Sequence, residues 1–325
     1  MRVQLLIYNP RKSQVWDVAS LTESVSWETN RTGSPGTLKF TVMKAGDLDF
    51  LEGDNVRLSV DGQQQFYGWV FTKSKNRWGE IEVTCYDRLR YLKASASYAF
   101  YNLTAEQILQ QIAADLQLDV STLESTGYVI PSLIEENQSC LDIVSAALEQ
   151  VLLNTGSLFV LLDDGDGLSI RSPQSMVSGV LIGEKSCLTD YTYQTDIDAQ
   201  TYNSVKLSVP NEATGRSDVY VAQDSYNIGR WGLLQLYQQV DGDFNEAQLK
   251  ARAEATLNYY NRRMRTLKVS SLGVPGLHAG QLVLMKVPDL GDIALDQYVL
   301  LDRVSHTWEN GVHTMEFETL DLTEV

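Results

Sequence analysis

Asn55-Val56-Arg57-Leu58-Ser59-Val60, the turn Asp61-Gly62, Phe66-Tyr67-Gly68-Trp69-Val70-Phe71 and, after a polar break, Ile81-Glu82-Val83-Thr84-Cys85-Tyr86 decide the fold. In the first and last runs apolar and polar residues alternate. That alternation turns one face of an extended chain to a core and the other to water. Upstream, Thr37-Leu38-Lys39-Phe40-Thr41-Val42 repeats the pattern. Short period-2 runs with turn residues between them predict a small antiparallel barrel over residues 1–97.

The period changes near Tyr98. Thr104-Ala105-Glu106-Gln107 is a capping box, and Ile108, Ile112 and Leu116 follow on one helical face. A second helix starts at Ser139 with Asp142 three residues on, and buries Ile143, Val144, Ala147, Leu148 and Val151. Then comes a hairpin, 157–162 against 168–171, turning through Asp163-Asp164-Gly165-Asp166-Gly167. These pieces predict an α+β insert over 98–175. Strands resume in 176–325, including Ser204-Val205-Lys206-Leu207-Ser208-Val209. One long helix, about 245–265, interrupts them, with Asn245 as N-cap and Leu249, Ala253, Leu257, Tyr260 and Met264 striping one side. Arg262, Arg263 and Arg265 would then sit in its last turn, where cations suit the helix dipole. The expected fold class is mainly β (α+β), with two small antiparallel β-barrel domains flanking the insert.

Two segments read as copies of one another. Gly53-Asp54-Asn55-Val56-Arg57-Leu58, then 66–71, then 80–87 match Gly280-Gln281-Leu282-Val283-Leu284-Met285, then 298–304, then 313–321 in element order and length. Two related units per chain let three chains place six similar domains round one axis, a closed ring of the kind homo-oligomers favour. Such a homotrimer adapts a sixfold object to a threefold one without any catalytic residue.

Composition narrows the function further. Basic residues number 26 against 42 acidic ones, a net charge of −16, which argues against binding nucleic acid through a basic face. The three cysteines, Cys85, Cys140 and Cys187, are far apart and form no CxxC pair, so neither a zinc site nor a disulfide framework is expected. The apolar run at the N-terminus is short and stops at Pro10, unlike a signal peptide. No stretch reaches the ~20 apolar residues of a membrane helix.

Several stretches together resemble the XkdQ/YqbQ family of phage tail proteins. They are Gly33-Ser34-Pro35-Gly36-Thr37-Leu38-Lys39-Phe40, the strands already quoted, and Val83-Thr84-Cys85-Tyr86-Asp87-Arg88-Leu89-Arg90-Tyr91-Leu92. The C-terminal half continues in order with Tyr259-Tyr260, Gly273-Val274-Pro275-Gly276-Leu277 and Val304-Ser305-His306-Thr307-Trp308. The resemblance implies a trimeric baseplate hub of a contractile tail. Its expected partners are the tail tube, the central spike, other baseplate proteins and the tape measure. Its expected place is a virion or phage-tail-like particle, assembled in the bacterial cytoplasm and released by lysis. Gln281 departs from the family, which places Asp after that Gly; a turn hydrogen bond there is put in question, the fold is not.

No catalytic residue, cofactor or metal is expected. His306 and His313 flank a predicted hairpin and could face each other, yet no third ligand is spaced to join them. The Asp-Gly run at 163–167 lacks the Glu a calcium loop needs at its twelfth position, where Ser172 stands near, and reads as a hairpin turn. Glu135 and Glu136 are the one acid pair a peptidoglycan hydrolase or cell-wall-binding component, the alternative reading, would use. No GxSxG, HExxH or Walker loop occurs. Trp78 and Trp231 lie in polar loops, so Trp78, Arg230 and Trp231 are the candidate interface residues. The other four tryptophans are expected in cores, and residues 224–232 are expected to form a contact loop.

Overall fold

The computed structural model describes residues 1–198, 200–211, 216–240 and 246–322. The chain opens with seven strands: β1 (Val3–Asn9), β2 (Gln14–Asp17), β3 (Thr22–Asn30), β4 (Thr37–Met43), β5 (Asn55–Val60), β6 (Gln63–Lys75) and β7 (Glu80–Tyr86). Next come β8 (Ser95–Leu103), α1 (Ala105–Asp115), β9 (Val120–Leu123), β10 (Ile130–Ser139), α2 (Cys140–Thr155), β11 (Val160–Asp163) and β12 (Leu168–Arg171). They are followed by β13 (Val177–Gly183), β14 (Leu188–Asp196), β15 (Ser204–Asn211), β16 (Arg216–Gln223), α3 (Ser225–Trp231), β17 (Gln235–Gln239) and α4 (Glu246–Tyr260). The last strands are β18 (Met264–Leu272), β19 (Leu282–Val287), β20 (Leu295–Glu309) and β21 (Val312–Thr319). Among the described residues no helix is long and apolar enough to cross a membrane.

The fold is mainly β, but the two expected barrels do not close among the described residues. Instead, thirteen strands share one sheet with the path β14-β18-β21-β20-β3-β4-β7-β6-β5-β1-β2, β19 lying beside β20 and β13 beside β19. The physical reason is β20. Its first part, from Leu295 to Leu300, pairs with β19. Its second part, from Arg303 to Glu309, pairs with β21 on one side and with β3 on the other. One strand of 15 residues therefore belongs to both halves and welds them edge to edge.

The internal repeat holds in strand order over five strands of each half. The order β3-β4-β7-β6-β5 in the first half is matched by β14-β18-β21-β20-β19 in the second. Val70 opposes Cys85 with a register shift just beyond it; Leu301 opposes Thr319 with the same shift. The Gly53 N–H donates to the Val70 carbonyl at 2.8 Å, and the Gly280 N–H to the Leu301 carbonyl at 2.7 Å. Gly53 and Gly280 have φ of +88° and +90°, which glycine alone adopts freely. A buried carboxylate pins each half at the same place: Asp87 accepts the Gly36 N–H at 2.8 Å, and Asp321 accepts the Arg265 N–H at 3.1 Å. Gln281 keeps the turn hydrogen bond that was in question. Its Oε1 accepts the His278 N–H at 3.0 Å, as Asp54 Oδ2 accepts the Leu51 N–H at 2.8 Å.

Cores follow from alternation. In β4 Leu38, Phe40 and Val42 are buried while Lys39 and Met43 face out, and they pack with Leu5, Ile7, Val56 and Leu58. Each fully buried aliphatic chain stabilises by about 1.5–3 kcal/mol. The second half has its own cluster, around Leu267, Val283, Val299 and Phe317. The elements β8 to β12 with α1 and α2 enclose a third; the Ser139 cap forms as expected, and of the capping box at Thr104 the Gln107 half forms, its Oε1 accepting the Thr104 N–H at 3.0 Å. A fourth cluster was not foreseen: Val205, Leu207, Val240, Leu249 and Ala253 join β15, β16, β17 and α4. This unit is inserted between β14 and β18, where the first half has only the short link between β3 and β4.

The long helix is shorter than expected. Asn245, its expected N-cap, lies outside the described residues, and α4 ends at Tyr260. Met264 opens β18. The arginines of the supposed last turn serve ion pairs instead: Arg262 with Asp321 at 2.7 Å, and Arg263 and Arg265 with Asp292. Pairing of β18 with both β14 and β21 outweighs the local helical stripe.

Candidate assembly interface

Trp78 stands in the turn between β6 and β7. Asn76 Oδ1 accepts the N–H of Trp78 at 2.9 Å and of Glu80 at 3.1 Å, which fixes the turn. The indole is 68% exposed, and the Arg77 guanidinium lies 4.2 Å from its ring centroid. Residues 224–232 form a helix rather than a loop. Asp224 caps α3 by accepting the N–H groups of Tyr226 and Asn227. Arg230 lies over both Tyr226 and Trp231, at 5.5 and 5.8 Å. Trp231 itself is half-buried, and the outward aromatic of α3 is Tyr226. Helical spacing puts Tyr226 four residues before Arg230, a signal the sequence carried. Trp27 and Trp308 are buried core residues and Trp16 packs half-buried against their core, whereas Trp69 is half-buried outside it, between the rings of Tyr67 and Tyr91. The two aromatic–Arg clusters belong to different sheets, so they are two surfaces.

Among the sheet edges left open in the described residues are two, one in each half. β14 ends the sheet path and pairs only with β18. In β6, pairing with β5 stops at Trp69, so residues 72–75 pair only with β7. Neither edge was anticipated from sequence, because an open edge is a property of the pairing and not of the strand.

The interior carboxylates serve as ties. A cleft of about 290 Å³ lies where the first half, the insert and the second half meet, lined among others by Gln65, Asp87, Asp163, Arg171, His278 and Gln281. Asp163 accepts Arg88 Nη1 at 2.9 Å and the backbone N–H groups of Arg88 and Gly165, each at 2.8 Å. Burial and the neighbouring Asp163 raise the Asp87 carboxyl well above its usual range, and burial raises Asp163. Asp164 accepts the N–H groups of Asp166 and Gly167 and the Ser169 hydroxyl. The Asp-Gly run is thus a hairpin loop in which Asp163 and Asp164 point at protein donors. Glu135 and Glu136 sit where the β8–β10 ladder shifts register, and neither lines this cleft.

His306 and His313 do meet, buried in a stack with Trp27 and Trp308. His306 Nε2–H donates to the Leu277 carbonyl at 2.7 Å, which leaves Nδ1 to accept His313 Nε2–H at 2.9 Å. His306 is therefore held neutral, and among the described residues no cluster of three metal-ligating side chains exists. Burial pushes His306 down to about 3 and His313 to about 4. Groups with lowered folded pKa stabilise above their unfolded value of about 6.5, and that stability is lost as pH falls toward the folded values. Wild type should lose on the order of 4 kcal/mol from this pair between pH 6.5 and 4.5, about 2 kcal/mol for each ring. His313→Gln, whose amide can still donate to His306, should lose less. Asp87 and Asp163 act in the opposite direction, so the difference between wild type and variant in urea midpoints across pH is the quantity to read. Equal pH slopes would exclude the pair as a contributor.

Comparison with known proteins agrees with this architecture. The YQBQ-like family model matches residues 25–320. The phage-like element PBSX protein XkdQ of Bacillus subtilis is 30% identical over 311 residues, covering 94% of this chain and 93% of that one. The crystal structure of the tail protein from Neisseria meningitidis superposes with a TM-score of 0.73 at 14% identity, covering 99% of this chain and 97% of that chain. The E. coli c3393 protein, a type VI secretion component with structural similarity to the T4 tail proteins gp27 and gp5, superposes at 0.55 with 12% identity. It covers all of this chain and is itself covered over 78%. These similarities are to a phage-like element protein, a tail protein and a type VI secretion component, and the fold is shared with them. Matched by the family model over most of its length and by XkdQ over nearly all of it, the chain belongs to the YQBQ-like family.

Proposed function

We propose that the chain is a non-catalytic baseplate hub of a contractile phage tail or phage-tail-like particle. Three copies form a pseudo-sixfold ring that joins a hexameric tail tube to a threefold central spike. The observation that carries this reading is the internal repeat: the same strand order, register shift, glycine turn and buried aspartate occur twice in one chain. Six such units close a ring from three chains. In this reading residues 1–97 and 176–325 supply the ring units and 98–175 stands out from them. The tape measure and other baseplate proteins are further partners. The particle is assembled in the cytoplasm and freed by lysis. The net charge of −16 suits a lumen from which passing DNA is repelled.

Native mass spectrometry over a concentration series tests this. Three chains of 36.4 kDa give about 109 kDa, and that species should dominate at high concentration. A dimer, or a monomer at every concentration, would overturn the proposed stoichiometry of the isolated ring.

A further inference from the structure

We infer that the open edge of β14 in one copy pairs antiparallel with residues 72–75 of β6 in the next copy, in a register that the chain itself displays. This rests on the ring reading and names the surfaces that close it. Within one chain, the unit-to-unit contact is β3 against the second part of β20, with Asn30 opposite Arg303, Thr29 opposite Val304, Glu28 opposite Ser305 and Trp27 opposite His306. The repeat gives each of these residues a counterpart. On β20 and β6 the shared register shift equates Arg303 with Thr72 and Ser305 with Ser74. On β3 and β14, pairing with Lys39 and Lys268, which oppose Thr84 and Glu318, equates Ser26 with Thr192 and Glu28 with Gln194.

Carrying the internal contact across gives Thr72 opposite Asp196, Lys73 opposite Thr195, Ser74 opposite Gln194 and Lys75 opposite Tyr193. Both strands have the required edge open among the described residues. Backbone N–H and C=O groups on such edges seek a strand. The contact is head-to-tail, so it must either close or polymerise, and two units per chain close it at three chains. The turn that carries Trp78 then falls beside residues 190–192, which gives that exposed indole a surface to cover.

The test is disulfide trapping in the full chain with Cys187→Ser, because Cys85 and Cys140 are buried. Residues directly opposite in an antiparallel pair have Cβ atoms ~5 Å apart, within disulfide reach. Ser74→Cys with Gln194→Cys should give a covalent trimer on a non-reducing gel, with most of the chain cross-linked. Ser74→Cys with Thr195→Cys, slipped by one residue, should cross-link at least tenfold less, since the thiols then face opposite sides of the sheet. Ser26→Cys with Thr307→Cys, opposed within one chain, is the positive control. Trimer by native mass spectrometry without in-register cross-linking overturns this pairing and leaves the ring intact. A chain that is neither trimeric nor cross-linked overturns both. Equal trapping by the slipped pair overturns the register.

Discussion

Arg88→Ala is expected to lose about 3–5 kcal/mol of folding stability, the cost of stranding one partner of a buried ion pair. Arg88 and Asp163 are both almost fully buried where the first half meets the insert. The guanidinium also donates to the Gly165 carbonyl at 3.1 Å and lies over the rings of Tyr67 and Trp69. Truncation would leave Asp163 without its cation and close to Asp87, which is itself buried. Urea denaturation at pH 7 reads the effect as a fall in midpoint at constant slope. A loss below about 1 kcal/mol would mean that water reaches the site and that the pair is not a clamp. Replacing both partners, Arg88→Met with Asp163→Asn, should recover part of the loss, because no charge is then stranded and the amide oxygen can still accept a backbone N–H that Asp163 holds.

Gly68→Val is expected to cost about 3 kcal/mol or more, and to lower soluble yield. A Cβ there would stand 2.2 Å from the Tyr86 carbonyl oxygen and 2.6 Å from the Phe66 ring. The obstacle is backbone on a paired neighbour, so relief requires β6 and β7 to part. The repeat sharpens the expectation. Gly68 opposes Val56, and its counterpart Val299 opposes Val283, buried and accommodated. The two halves thus share a register but not a packing solution at this position. Thermal unfolding of Gly68→Ala and Gly68→Val should show losses of one sign and increasing size. An unchanged midpoint for the valine variant would mean the strands separate at little cost.

Much of this fold was legible in the residues. Alternation in 37–42, 55–60 and 81–86 located β4, β5 and β7 because one buried face imposes a strict period of two. The repeat was legible from Gly53 and Gly280 because a positive φ admits few residues. What failed were inferences that depend on partners distant in sequence. The stripe through Tyr260 and Met264 continued a helical period across a boundary that pairing of β18 with β21 imposes. Closure into barrels was a guess about edges, and edges are fixed by which strands meet. Trp78 was legible as an exposed aromatic in a polar turn, whereas the α3 helix hid behind the polar look of 224–232. The open edges that would receive a second copy had no signature of their own.

The sharing of β20 between the two halves also has a mechanical side. Seven residues of β20 lie opposite β3 along one line. A load that slides one half past the other along the strand direction strains all of these rungs together. A load that peels them apart opens one rung at a time and meets far less resistance. The molecule is therefore stiff along that seam and weak across it, so the direction of an applied force decides whether the two halves hold.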